Sequence, residues 1–168
     1  MQPTRLLLVR HAQAADAPVD RDRPVSEHGA RRAAAIGSWL ARSGYVPDRV
    51  LVSPALRAVQ TWAAAASSSG SDVTPTVDDR IYVNTLGTVL GAIAETPQDI
   101  RTLIVVGHNP SMGELAFALD DGQGDPEAQR GLHAGFPTGA VAVFRVATAF
   151  SDLGPGGATL EGFAVPAD

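Results

Sequence analysis

The sequence predicts an α/β fold of three layers, α/β/α, built on a mainly parallel sheet with an antiparallel edge. Three observations predict it. Short unbroken apolar runs recur along the chain, as strands buried on both faces require. Segments with apolar residues at helical spacing alternate with those runs, the pattern of a sheet covered by helices on both sides. Toward the C-terminus two strand-like runs flank a Ser/Gly/Pro turn, as an antiparallel pair would. The 168 residues contain no repeat, linker or compositional break, so a single domain over 1–168 is expected. A chain of that size buries roughly 70% of its unfolded surface, enough for a sizeable core.

The elements follow in order. The apolar run Leu6, Leu7, Leu8, Val9 is the first strand, ended by Arg10 and His11. A polar loop, 13–24, comes next. Ser26 is suited to cap a helix over 27–42. In it Ala33, Ile36, Gly37 and Leu40 share one stripe, and Gly44 ends it. Residues 49–53 form the second strand, and Pro54 stands where the next helix starts. That helix runs through Leu56, Val59, Gln60 and Ala63 until Ser67, Ser68, Ser69 and Gly70 break it. A weak third strand is expected at 73–77, then a helix at 86–95 with Leu86, Val89, Leu90 and Ile93 on one face. Residues 102–107 are the clearest buried strand. A helix over 111–119 follows, then a polar Gly/Asp loop at 120–130 and a strand at 140–146. After a turn at 151–157, residues 159–165 pair as the last strand.

Composition removes whole classes of chemistry. There is no Cys, hence no disulfide, no thiolate metal site and no cysteine nucleophile. All 13 Lys-or-Arg positions are Arg, which excludes a phosphate-binding lysine, a lysine Schiff base and a lysine general base. The absence of Lys reads as coding bias, and the exclusions hold whatever its cause. A net charge of −5 sets the field of the whole molecule against nucleic acid and against an anionic membrane surface. No apolar run approaches the roughly 20 residues of a membrane helix. The run before Arg10 is shorter than the roughly 7–15-residue core of a signal peptide, so a cytoplasmic protein is expected. Oligomeric state leaves no mark in the sequence.

In a sheet of this kind, ligands bind beyond the carboxyl ends of the strands. Those ends carry Arg10 and His11; Ser53 and Pro54, with Arg57 one turn further on; and Gly107, His108 and Asn109. A single strand-end His is most often a hydrogen-bonded structural residue. Two Arg and two His on one rim repel one another unless an anion joins them. A phosphoryl group is the natural complement, because guanidinium forks match its oxygens in pairs. Helix N-termini after Pro54 and Pro110 would add backbone dipoles.

The residues that carry this reading also carry a resemblance. Leu-Val-Arg10-His11-Ala12 resembles the Arg-His-Gly signature of the histidine phosphatase superfamily, with Ala12 where Gly is usual. Residues 53–61, Ser-Pro-Ala-Leu-Arg-Ala-Val-Gln-Thr, resemble its second motif, and Val106-Gly107-His108-Asn109-Pro110 its third. The compact length and Phe136-Pro137-Thr138 before a strand look most like the small SixA-type phosphohistidine phosphatases. The resemblance implies a phosphoglycerate mutase-like fold and a hydrolase that forms a phosphohistidine enzyme. His11 would be the nucleophile, with Arg10, Arg57 and His108 binding the phosphoryl oxygens and stabilising the transition state. It implies no cofactor and no metal, and a phosphorylated protein or small phosphorylated molecule as partner.

One feature of the family is missing. Many relatives place a Glu general acid after the third strand, whereas residues 78–84 here contain none. Asp16, Asp78 and Asp79 are the candidates for that role. An imidazole leaving group, whose conjugate acid has a pKa of roughly 6.5, needs less help than an alkoxide, which favours a P–N substrate. The alternatives are a phosphatase of small phosphate monoesters and a non-catalytic phosphate-binding module. A metallohydrolase is disfavoured, since His11, His28, His108 and His133 show no H-x-x-x-H or H-x-H spacing. Asp20-Arg21-Asp22 lies in a polar loop, not beside a buried strand, which disfavours an aspartyl-phosphate enzyme. His28 and His133 read as bystanders.

Overall fold

A computed structural model describes residues 3–167. Its centre is β1 (Thr4–Arg10), where Leu6, Leu7 and Leu8 are wholly buried. Successive side chains of a strand point to opposite faces, and the core divides accordingly. Leu6 and Leu8 pack in one cluster with Met112, Leu115 and Leu132; Leu7 and Val9 pack in the other with Ile36, Leu40 and Trp62. A continuous apolar run therefore means helices on both faces, and the three-layer α/β/α arrangement is what forms.

α1 (Glu27–Ser43) is capped by the Ser26 side chain, which accepts the Gly29 N–H, and ends on Gly44 at φ 76°. β2 (Arg49–Val52) leads to α2 (Leu56–Ser69), which packs beside α1 on the same face of the sheet. β3 is only Thr76–Val77, a two-residue, exposed edge strand. The expected strand at 73–77 is thus shorter than its β-branched residues promised. α3 (Asp79–Val83) and α4 (Leu86–Ala94) contribute Ile81, Val89 and Ile93 to the opposite face. β4 (Thr102–Gly107) is buried at every residue. α5 (Ser111–Leu119) and α6 (Pro126–His133) follow, then β5 (Val141–Val146) and β6 (Ala158–Ala164).

The sheet order is β3-β2-β4-β1-β5-β6. β1, β2, β3 and β4 run parallel, while β5 is antiparallel to both β1 and β6. The expected antiparallel edge is therefore present.

Three local expectations are corrected. The helix after the second strand begins at Leu56 with Ala55 as its N-cap, two residues later than Pro54 suggested. The polar loop at 120–130 contains the start of α6. Its signal was Asp125 before Pro126: the Asp125 carboxylate accepts the Ala128 N–H, and proline occupies the first turn. Residues 79–83, where no element is expected, are helical because Asp78 caps them and Asn84 closes them at φ 69°.

Candidate active site

β4 lies between β1 and β2, so the carboxyl ends of three strands stand side by side. Neighbouring strands are about 4.8 Å apart, and that spacing brings Arg10 and His11, His108, and Ser53 to one edge. Backbone bonds lock the junction: the His11 N–H donates to the Gly107 carbonyl at 3.0 Å, and Gly139 N–H reaches the carbonyls of Arg10 and His11. Thr61 stitches the second motif to the first. Its Oγ1 accepts the Ala12 N–H at 2.9 Å and donates to the Arg57 carbonyl at 2.7 Å.

His11 Nδ1 lies 2.7 Å from the Ala12 carbonyl oxygen. A carbonyl can only accept, so Nδ1 carries the proton and Nε2 keeps its lone pair. Burial, and after it the charges of Arg57, Arg10 and Arg23, outweigh the opposing effect of the Ala12 bond and hold the His11 pKa at about 4. The ring is neutral at pH 7.

His108 Nε2 stands 2.7 Å from Ser53 Oγ, which itself accepts the Ala55 N–H at 3.2 Å. The Ser53 hydroxyl can donate to Nε2, and in that arrangement the His108 proton sits on Nδ1. That atom is buried and has no partner among the described residues. Burial, then the neighbouring His11 and Arg57, lower the His108 pKa to about 3. The two imidazoles lie 5.2 Å apart, centroid to centroid, at 56°.

Arg10 donates from Nη1 to the Phe136 carbonyl at 3.1 Å. Arg57, only 7% exposed, donates to the carbonyl and carboxylate of Asp20 at 2.9 and 3.2 Å. The Nε atoms of both Arg10 and Arg57 are buried without a partner among the described residues. Two guanidinium N–H groups and one imidazole nitrogen are thus buried without partners among the described residues, around a site rich in positive charge that suits an anion.

These four residues line one cleft of about 360 Å³ with Gln13, Ala14, Arg23, Asn84, Asn109 and Thr138. The structure therefore brings Arg10, His11, Arg57 and His108 together. It also adds residues that periodicity and spacing did not single out. Arg23 arrives because its loop folds back, with Ala14 bridged to Val25 and the Val25 N–H held by Gln60. Asp20 leaves the role of a solvated loop residue: it holds Arg57 and Arg23, and accepts the Tyr82 hydroxyl at 2.6 Å. The Tyr82 bond, then Arg57, hold its carboxyl well below the usual range. Asn84 reaches the cleft from the end of α3, donating to the Asn109 carbonyl at 2.8 Å.

The three general-acid candidates are not among the cleft residues. Asp78 is paired with Arg80 at 2.7 Å, Asp79 is exposed beside Arg21, and Asp16 is absent from the lining. The expected amide donors of α5 are likewise occupied. Ser111 N–H goes to Asn84 Oδ1, Gly113 N–H to Asn109 Oδ1, and Met112 N–H to the His108 carbonyl. Among the described residues no group of three or more His, Asp or Glu gathers as a metal ion would require. No helix among them is long and apolar enough to cross a membrane. His133, outside the cleft, stacks on Phe117 at 5.5 Å.

Sheet, helices and cleft define a class, the α/β hydrolases of phosphoryl groups with a phosphoglycerate mutase-like fold. Residues 6–110 match the family model of the histidine phosphatase superfamily (branch 1), and the chain belongs to that superfamily. It is 38% identical over 161 residues to an uncharacterized protein of Mycobacterium tuberculosis, covering 94% of this chain and 99% of the relative. It is 30% identical over 127 residues to the phosphohistidine phosphatase SixA of Escherichia coli, covering 73% and 78% respectively. The structure of a putative phosphohistidine phosphatase SixA from Nakamurella multipartitia superposes with a TM-score of 0.85 at 32% identity, over 99% of this chain and 98% of that one.

Proposed function

We propose that this chain is a metal-independent phosphohistidine phosphatase that works through a phosphohistidine enzyme, with His11 as nucleophile. The observation that carries the reading is the His11 Nδ1–Ala12 bond of 2.7 Å. It fixes the tautomer, leaves Nε2 unprotonated, and sets it in a cleft with Arg10, Arg57 and His108.

The chemistry follows from those groups. Nε2 attacks phosphorus, forming the P–Nε2 bond while the bond from phosphorus to the substrate nitrogen breaks; the electron pair leaves on the substrate imidazole. The equatorial oxygens gain charge, and the guanidinium groups of Arg10 and Arg57 together with His108 meet it. Water then attacks phosphorus, the P–Nε2 bond breaks, and phosphate is released with His11 restored to its neutral form. Among the described residues no carboxylate lines the cleft. A phosphohistidine ring protonated on its other nitrogen leaves as neutral imidazole, whereas an alkoxide must be protonated as the bond breaks, so the lining supports a P–N bond as the preferred substrate. A phosphorylated protein is the partner this reading names, in keeping with the similarity to SixA.

The test compares a phosphohistidine peptide and phosphoramidate with an alkyl phosphate monoester such as glycerol phosphate, each with and without EDTA. The expected result is a kcat/KM at least about tenfold higher for the P–N substrates, a difference of about 1.4 kcal/mol in transition-state stabilisation, and no effect of EDTA. Equal or reversed preference overturns the P–N assignment in favour of a monoester phosphatase, and loss of activity in EDTA overturns metal independence.

A further inference from the structure

A second cavity of about 210 Å³ lies next to the phosphoryl cleft, and the two share Gln13 and Thr138 in their walls. The rest of its lining is His28, Arg32, Pro137 and Val165. His28 and Arg32 are four residues apart on α1 and therefore lie on one face of the helix. The Ser26 cap fixes where that face begins, and the loop after His11 is seated on it: a Cβ on Gly29 would come within 2.0 Å of the Gln13 carbonyl. The second cavity is thus held rigidly against the first.

Its one cation has no carboxylate partner among the described residues. Arg32 donates once, from Nη1 to the Pro166 carbonyl at 3.2 Å, and its Nε is buried without an acceptor. Among the described residues it meets no carboxylate. His28 is exposed and makes no hydrogen bond or ion pair among them. The chain carries a net charge of −5, yet among the described residues no carboxylate lines either cavity. A local cationic trough in an acidic protein attracts anionic groups and repels cationic ones. Pro137 and Val165 add an apolar wall, which suits a short aliphatic stem.

We propose that this cavity is a specificity subsite in which His28 and Arg32 receive a carboxylate of the substrate, carried by a Glu or Asp side chain close to the phosphorylated histidine. The assignment rests on the phosphohistidine reading for the identity of the substrate, but the carboxylate recognition does not depend on which phosphoryl bond is cleaved. Neither residue touches the phosphoryl group, so both act on substrate choice and leave the chemical step alone. Arg32 is the stronger partner, because its fork can bind both oxygens at once.

The experiment measures kcat and KM for two phosphohistidine peptides that differ only in Glu or Gln beside the phosphohistidine, and for phosphoramidate as a substrate with no such group. A matched pair of aryl phosphates, with and without a carboxylate, is measured alongside. Each is run on the wild type and on Arg32→Gln and His28→Gln; His28 is exposed, so its variant keeps the fold even if Arg32→Gln loosens the contact with Pro166. The wild type is expected to favour the Glu peptide by about fivefold to tenfold, mostly in KM. Arg32→Gln should bring that preference within about twofold and His28→Gln should reduce it, with phosphoramidate turnover unchanged in both. Absence of a carboxylate preference in the wild type, or an equal loss on both peptides and on phosphoramidate in His28→Gln, overturns the subsite. If the peptides are not hydrolysed but the aryl pair shows the Arg32-dependent preference, the subsite stands for a small carboxylated substrate and the phosphohistidine reading falls.

Discussion

His11 and Thr61 show how much of the site is fixed by single atoms. The Ala12 carbonyl selects one tautomer of His11, and the Ala12 N–H is in turn held by Thr61. His11→Ala removes the proposed nucleophile but leaves Arg10, Arg57 and His108 in place. Turnover is expected to fall below about one-thousandth of wild type, while tungstate or vanadate binding stays within about threefold. Surviving turnover, or loss of oxyanion binding, would refute this division of labour. Thr61→Val keeps the shape and removes the hydroxyl, stranding the buried Ala12 N–H. An unsatisfied buried donor costs about 1–3 kcal/mol, read as a lower denaturation midpoint. Because the peptide that orients His11 is loosened, kcat is expected to fall with it. At this scale the sequence displayed the cationic and imidazole groups of the cleft, since Arg10, His11, Arg57 and His108 all follow apolar strands. It did not display Thr61 as a brace or Asp20 as the partner of Arg57, because neither bond has a local signature: the Thr61–Ala12 pair is separated by 49 residues and the Asp20–Arg57 pair by 37.

Among the elements, the closest approaches are made at glycine. A Cβ on Gly37 of α1 would stand 2.1 Å from the Ala65 carbonyl and 2.0 Å from Ser68 Oγ of α2. Gly37→Ala must therefore push the two helices apart, and overpacking of this kind costs about 1–3 kcal/mol. Gly29→Ala makes a similar clash, at the Gln13 carbonyl. The two should differ in what they damage. Gly37→Ala is expected to lower the melting temperature and leave kcat within about twofold, because the contact is remote from the cleft. Gly29→Ala should lower both, because Gln13 lines the cleft. Equal kinetic effects in steady-state assays would show that the loop is not seated by α1. Long helices and buried strands were legible from apolar periodicity, as with α1 and β4. The short elements were not: β3 is two residues long, and α3 is a single capped turn among Asp and Arg. Such elements are set by caps and by what they pack on, and a hydrophobic pattern hardly records either.

For the molecule as a whole, the decisive fact is the sheet order. The last parallel strand, β4, is inserted between β1 and β2, and only that insertion makes neighbours of His11 and His108. Their burial governs how the protein responds to pH. Both imidazoles are kept neutral, with pKa values at about 4 for His11 and about 3 for His108, chiefly because burial penalises the charged form. In the unfolded chain each returns to 6.5. Between those limits the unfolded state binds more protons, so stability is full above about pH 7 and is lost as the pH falls through 6.5 toward the folded values. Each histidine contributes up to about 1.4 kcal/mol per pH unit in that window. The carboxylates held low by their partners, such as Asp20 and Asp78, enter only at more acid pH. Urea midpoints measured from pH 7.5 to 5 should therefore fall, and His108→Asn should flatten part of the fall. Activity should behave differently over the same range. His11 stays neutral well below pH 6, so kcat on the phosphohistidine peptide, corrected for spontaneous hydrolysis, is expected to show no acid limb near 6.5. A limb at that pH in an enzyme still folded by circular dichroism would mean that His11 titrates as an ordinary exposed histidine, and that the buried, cation-flanked setting is not what keeps its nitrogen free.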